Sequence, residues 1–537
     1  MQVRRHRPLP TAQHSLRAMP KVGAGTRVFA LAASLAACLA VALGGCVVGP
    51  DYKRPSTAMA ASYREAPPGW KVAAPADHAD RGPWWSVYND ARLDSLMNEL
   101  NTANQSVAQF AAAYRQARAL VAEARAAYFP TLDLTANATR SGAQLSNSSN
   151  FTSFSGSTAR VSNHFSLVLD ATWEPDLWGK ISRTVSAQRA GEQAAAADLG
   201  NARLSAQATL AQTYYQLREL DSLQKLLGDT VAAYAAALRL TQNQYAQGVA
   251  ARSDVIQAQT QLQSAQAAAI DNGVARAQNE HAIAALVGQP ASTFSIPFIP
   301  LDVEPPELPL EVPSAMLERR PDIAAAERRA ASANEQIGVA ISAYFPTLTL
   351  SAQGGYQNSI LSQLFTLPSR FWTVGPSLAE TLFNAGLRQA QTDAARAAYD
   401  LQVALYRQTV LAAFQDVEDN LASQRILAQE IVVQRQTVDS ARQALAIVTN
   451  QYKSGIVAYV NVLVAQTTAF TAEERLATLA GQRMLSSVGL VKALGGSWDV
   501  RQMNRETGSV EAPAPAFSPA PTPAAASGEP DAAGQRA

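Results

Sequence analysis

Tyr128-Phe129-Pro130-Thr131-Leu132-Asp133-Leu134 recurs almost unchanged at Tyr344-Phe345-Pro346-Thr347-Leu348-Thr349-Leu350, 216 residues later. Each copy closes an Ala-rich run with helical character and opens an alternating, strand-like one. Within a helix, Pro removes an amide donor and clashes with the preceding turn. It also drives the residue before it to extended geometry. Pro130 and Pro346 are therefore expected to mark two helix-to-strand junctions. A repeat this long points to a duplicated domain; solenoid units run to about 20–50 residues.

Further pairs keep the same order. Asn243-Gln244-Tyr245-Ala246-Gln247-Gly248-Val249 matches Asn450-Gln451-Tyr452-Lys453-Ser454-Gly455-Ile456 at an offset of 207. Asp254-Val255-Ile256 matches Asn461-Val462-Leu463 at that offset, and Ala285-Leu286-Val287-Gly288 matches Ala493-Leu494-Gly495-Gly496 at 208. Copy one therefore carries about nine extra residues between its strands.

Each unit reads as helix, strand, loop, strand, long helix, helix. Leu132, Leu134, Ala136 and Ala138 share one strand face, and Phe165, Leu167, Leu169, Ala171 and Trp173 share another. In copy two, Leu348, Leu350, Ala352 and Tyr356 alternate with polar residues, as do Trp372, Val374 and Leu378. The intervening loops are expected at 141–159 and 358–370. Amphipathic strand pairs with aromatic ends fit an outer-membrane barrel; on this pattern alone they also fit two hairpins packed on a soluble core. Good helix formers fill 183–247, 253–287, 386–453 and 460–494. A run of about 60 such residues spans roughly 90–100 Å. Helices alone would suit a generic coiled coil equally well.

The composition limits function further. Aromatics are 7% of the chain and net charge is +1, so no strong field points to nucleic acid. Residues 1–45 hold Arg4, Arg5, Arg7, Arg17, Lys21 and Arg27 and no acid; without them 38 basic residues face 43 acidic ones, a net of −5. The basic stretch precedes an apolar run, 28–43, too short for a spanning helix of about 20 residues. It reads as a secretory signal, with Met19 a second candidate start. Of two cysteines, Cys38 and Cys46, only Cys46 would survive cleavage, which leaves no intramolecular disulfide. The five histidines show no metal-ligand spacing, and there is no Walker loop or nucleophile elbow. No enzyme, cofactor or metal site is expected.

Four strands cannot close a membrane barrel, whose smallest ordinary form has about eight. Open edges are costly in hydrocarbon, so membrane strands would require several chains. Three chains would give 12 strands with pseudo-sixfold symmetry.

Leu43-Gly44-Gly45-Cys46 resembles the bacterial lipobox, which implies cleavage before Cys46 and acylation there with diacylglycerol and an N-acyl chain. Val47, in place of the Asp that retains lipoproteins at the inner membrane, implies the outer membrane. Cys46-Val47-Val48-Gly49-Pro50-Asp51-Tyr52-Lys53-Arg54-Pro55 resembles the mature start of NodT-type outer membrane factors, the lipoprotein branch of the TolC-like channels. Three more segments resemble that family: Trp173-Glu174-Pro175-Asp176-Leu177-Trp178-Gly179-Lys180, Glu318-Arg319-Arg320-Pro321-Asp322-Ile323, and Ala493-Leu494-Gly495-Gly496-Ser497-Trp498. The resemblance implies an α+β membrane protein with a two-fold internal repeat, each half supplying two transmembrane strands and long coiled-coil helices. It implies a homotrimer with a 12-stranded β-barrel and a periplasmic α-helical barrel. Expected partners are a periplasmic adaptor and an inner-membrane RND-type transporter, for export of drugs or other small molecules. The expected organisation is a signal peptide 1–45, a lipidated extended segment 46–89, repeat one 90–288, a linker 289–320, repeat two 321–498, and a Pro/Ala-rich disordered tail 499–537. The competing readings are a pore-free coiled-coil lipoprotein or a periplasmic adaptor, with an outer-membrane enzyme third.

Gly248 and Gly455 join pairs of long helices and are expected at the periplasmic tips, serving adaptor docking and gating, simple helix capping, or both. Val464 and Thr467 stand where related sequences commonly show Asp and Arg, so the family's acidic ring is not expected there. Val460 and Val464, four apart, are candidates for an apolar constriction that gates by dewetting. Asp254 is the remaining local acid and a candidate to face the lumen. Tyr452 is expected to join hydrogen bonds that hold the tip closed, with a partner that the sequence does not name.

Overall fold

The computed structural model describes residues 47–57, 63–65, 83–143, 160–306 and 319–498. The signal segment 1–45, Cys46 and the tail 499–537 lie outside the described residues. The regular elements, in order, are α1 (Ala91–Ala103), α2 (Gln105–Ala126), β1 (Thr131–Ala143), β2 (Arg160–Trp173), α3 (Lys180–Ala246), α4 (Arg252–Leu286), α5 (Pro321–Ser342), β3 (Thr347–Asn358), β4 (Arg370–Ala379), α6 (Leu387–Lys453) and α7 (Tyr459–Ala493). The helix-to-strand switches fall at Pro130 and Pro346, between α2 and β1 and between α5 and β3.

The strands form one compact unit with residues 47–49. They make a single antiparallel sheet in the order β1-β2-β3-β4. Register puts Leu134 opposite Leu169, Leu167 opposite Tyr356, Trp173 opposite Leu350, and Ala352 opposite Val374. Successive strand residues point to opposite faces, so this register collects every apolar row on one face. Thr135, Asn137, Asp170, Gln353 and Thr373 share the other. The apolar face is bare: Leu134 is 69% exposed, Val374 67% and Leu378 69%. The outer strands β1 and β4 pair on one side only. Pro376, which cannot donate to a ladder, lies on the edge strand β4.

One boundary differs from the sequence reading. The first hairpin is longer than its alternation: β1 continues to Ala143 and β2 starts at Arg160. Ser141 Oγ and Ser162 Oγ are 2.9 Å apart across the pair. Small, polar and apolar residues (Gly142, Ser162, Val161) mix here without alternation, so backbone pairing continues where side-chain periodicity stops.

The helices form the second unit. α3 and α6 run 67 residues each, which at 1.5 Å per residue is about 100 Å. The main core of this unit gathers Trp84, Trp85, Tyr88, Leu93, Leu96, Met97 and Leu100 against Leu210, Tyr214, Tyr215 and Leu217 of α3 and Met484 of α7. Asp90 caps α1, accepting from the amides of Arg92 at 3.0 Å and Leu93 at 3.2 Å. Its second oxygen accepts from the Tyr214 hydroxyl at 2.8 Å, which ties the cap to α3. In copy two, Ile323, Tyr406, Val410, Val417 and Leu421 build a smaller core with Tyr63.

Candidate functional site

The two turns carrying Gly248 and Gly455 have the same backbone. Gly248 N donates to Tyr245 O at 2.9 Å, and Val249 N donates to Gln244 O at 2.9 Å. Gly455 N donates to Tyr452 O at 3.0 Å, and Ile456 N donates to Gln451 O at 2.9 Å. This is the Schellman arrangement, which needs a left-handed residue just past the helix end. Gly248 has φ +76° and Gly455 has φ +73°. No atom lies within 4 Å of where a Cβ would stand on either, so conformation rather than space calls for glycine.

Behind the turns lies a small core from all four long helices. Tyr452, Tyr459, Val462 and Ala258 are buried, and Leu238, Leu240, Val448 and Leu463 pack around them. The rings of Tyr452 and Tyr459 meet at 5.5 Å and 59°. Burial raises both phenols above their ordinary range, Tyr459 to about 12. The charge of Asp254 adds to each shift. Asp254 sits half-buried in the first turn of α4.

Within this chain the Tyr452 hydroxyl does not bridge the two turns. It is buried and makes no hydrogen bond of ordinary geometry; Thr241 lies beside it and opposes its pKa shift, while the Thr241 hydroxyl donates to Ala237 O at 2.9 Å. The Tyr452 ring packs on Tyr459 in the core behind the turns. Between α3 and α4, Gln261 Nε2 donates to the Tyr234 hydroxyl at 3.2 Å.

Val460 and Val464 lie on the exposed side of α7, opposite buried Tyr459, Val462 and Gln466. Thr467 and Thr468 extend that face, and no charged residue occurs from Tyr459 to Thr471. Val249 and Ile456, at the turn apices, are 69% and 72% exposed. The tips therefore present apolar side chains outward over a tyrosine core.

A second arrangement, at the strand-to-helix end of the sheet, escaped the sequence reading. Trp173 Nε1 donates to Tyr128 O at 2.9 Å. Trp178 Nε1 donates to Pro346 O at 2.7 Å, and its ring stacks on Phe345 at 4.8 Å. One tryptophan thus clamps each junction. Asp176 accepts from the amides of Ile181 at 2.9 Å and Ser182 at 2.7 Å, capping the start of α3. The N-terminal segment docks at this motif: Val48 N donates to Trp178 O at 3.2 Å, and Arg183 donates to the carbonyls of Val48 and Gly49 at 3.3 Å.

The chain matches the profile of the outer membrane efflux protein family twice, over residues 96–289 and 312–496. The toluene efflux pump outer membrane protein TtgI of Pseudomonas putida is 30% identical over 471 residues, covering 86% of this chain and 97% of its own. Among solved structures, the outer-membrane channel OprN aligns with a TM-score of 0.73 at 28% identity, covering 84% of this chain and 99% of that one. VceC of Vibrio cholerae aligns with a TM-score of 0.70 at 30% identity, covering 77% and 98%. Two profile matches, one per repeat, and channel structures covered nearly end to end agree with a duplicated α/β-barrel half. The chain belongs to the outer membrane efflux protein family.

Proposed function

We propose that this protein is the outer membrane channel of a tripartite efflux pump, a passive conduit built from three copies. One observation carries the reading. The sheet β1-β2-β3-β4 has a bare apolar face and two unpaired outer edges. Hydrocarbon covers such a face, but unpaired backbone groups there cost several kcal/mol each, so the edges must close on other copies. Two copies of four strands would give eight, a barrel filled by its own side chains; three give 12, wide enough for a passage. A coiled-coil lipoprotein or an adaptor leaves that face without a role.

The protein makes and breaks no bond; it supplies a path and a gate. Its partners in this reading are a periplasmic adaptor and an inner-membrane RND-type transporter, and the cargo is a drug or other small molecule, as the name of TtgI suggests for that relative. The gate lies at the Gly248 and Gly455 turns. There Val460 and Val464 line the closed passage, and a narrow apolar ring excludes water and ions until the tips separate. Cys46 carries the lipid. Support comes from Val47 and Val48, which sit at the strand-to-helix motif, so an acyl chain on the preceding residue would reach the membrane edge. Acylated Cys46 would also hold the outer membrane localisation, each buried methylene contributing about 0.8 kcal/mol.

Native mass spectrometry of the detergent-purified protein tests the assembly. Three chains are expected. A stable monomer or dimer would overturn the reading.

A further inference from the structure

The outer rim of the sheet, at the end away from Pro130 and Pro346, carries features that a passive pore does not need. β3 and β4 are joined by residues 359–369, which contain no charged side chain. Ile360, Leu361, Phe365 and Leu367 stand exposed there, Leu367 by 81%. The loop is nevertheless tightly built. Asn358 Nδ2 donates to Ser369 Oγ at 2.6 Å, Ser369 Oγ donates to Gln363 O at 2.8 Å, and Ile360 N donates to Asn358 Oδ1 at 2.9 Å. Phe365 packs edge-on against Tyr356, with centroids 5.6 Å apart. Tyr356 belongs to the apolar row of β3, so the loop leans toward the lipid side and not over the pore. A large exposed apolar patch on a rigid loop marks an interaction surface.

Two arginines lie on the same face, Arg370 next to the loop on edge strand β4 and Arg140 on the other edge strand, β1. Arg370 opposes Tyr356, two residues before Trp372 in the apolar row of β4. Arg140 follows Leu134, Ala136 and Ala138 in the apolar row of β1. Both side chains are exposed, and among the described residues neither has a carboxylate partner. An arginine on the lipid-facing side is costly at mid-membrane and nearly free at the interface. These two therefore mark the outer interface, where their guanidinium groups suit bidentate contact with phosphate.

We infer that this rim binds the phosphorylated glycolipid of the outer leaflet, with Arg140 and Arg370 on its phosphates and the 359–369 loop among its acyl chains. The phosphates supply the charge that both arginines lack, and the acyl chains cover the four apolar side chains. The inference rests on the reading that the strands span the outer membrane with the helices on the periplasmic side. In a closed barrel, β4 of one copy meets β1 of the next, so Arg370 and Arg140 of neighbouring copies would share one lipid.

Native mass spectrometry with added lipid A tests this on the full-length trimer. The wild type should retain bis-phosphorylated lipid A about tenfold better than the dephosphorylated form, the factor expected for charge-assisted contacts. R140Q/R370Q should bring that ratio close to one. F365S/L367S should weaken retention of both forms and keep the ratio. Equal retention of the two lipids by the wild type overturns the inference without any variant, as does an unchanged ratio in R140Q/R370Q. A trimer that conducts in bilayers but shows no phosphate preference would reject this site and leave the channel reading standing.

Discussion

The Trp178 indole N–H donates to the carbonyl of Pro346 at 2.7 Å, across 168 residues of sequence. Trp178 belongs to the strand-to-helix motif of copy one, and Pro346 immediately precedes β3 of copy two. The pair locks the two halves together where the chain leaves its helices. Trp178→Phe keeps the stack on Phe345 and loses the hydrogen bond, a cost of about 1 kcal/mol. Trp178→Ala loses both and should cost about 2–3 kcal/mol, less than a fully buried tryptophan. Heat-induced dissociation of the purified assembly should fall in that order; equal losses would show that the hydrogen bond and the stack are not separable contributions.

Glu219 should give the protein a pH-dependent stability. Its carboxylate lies against Gly481, which leaves no room for a Cβ, and among the described residues it has no cation partner. Burial pushes its pKa up to about 7. A carboxyl raised in the folded state holds its proton longer there than in the unfolded chain. Stability should therefore fall as pH rises from about 4.5 to 7, and the penalty is complete above that window. Glu219→Gln should match the wild type near pH 4 and exceed it at pH 8 in thermal dissociation. Parallel curves across that range would assign the wild-type slope to another group.

Gly455 offers a contrast between conformation and space. Its φ is +73° with nothing near the Cβ position. Gly455→Ala should fold, at a cost of roughly 1–2 kcal/mol for the left-handed residue. Amide exchange at Tyr452–Ile456 should speed up while exchange in the core around Tyr214 stays unchanged. Uniform acceleration would mean that the turn is coupled to global unfolding.

Cys46→Ser should abolish incorporation of labelled fatty acid and leave the assembly a trimer. Labelling that persists would place the lipid on another residue.

The sequence located some of these features and not others, for physical reasons. Pro130 and Pro346 fix the junctions because Pro and the onset of alternation act on the backbone directly. The apolar strand face follows from period-two spacing, and exposure of Val460 and Val464 together follows from their four-residue spacing. The strand pairs beyond Arg140 were silent because Ser141, Gly142, Ala143, Val161 and Ser162 carry no apolar–polar alternation. The contacts of Tyr452 were not legible because a tyrosine looks the same in sequence whether its ring or its hydroxyl makes them; the structure adds the 5.5 Å ring contact with Tyr459. The Trp178–Pro346 clamp and the Tyr52 hydroxyl on Glu327 at 2.7 Å join residues too far apart for any local pattern to register.

Planar-bilayer conductance of the purified trimer is the most direct test of a gated conduit. Wild-type protein should show small, rare steps, because the proposed gate narrows the passage at Val460 and Val464, which the packing of Tyr452 on Tyr459 holds in place. Tyr452→Ala/Tyr459→Ala should show large, long-lived steps from the same trimer. A correctly assembled trimer that gives no discrete steps in either form would contradict the channel.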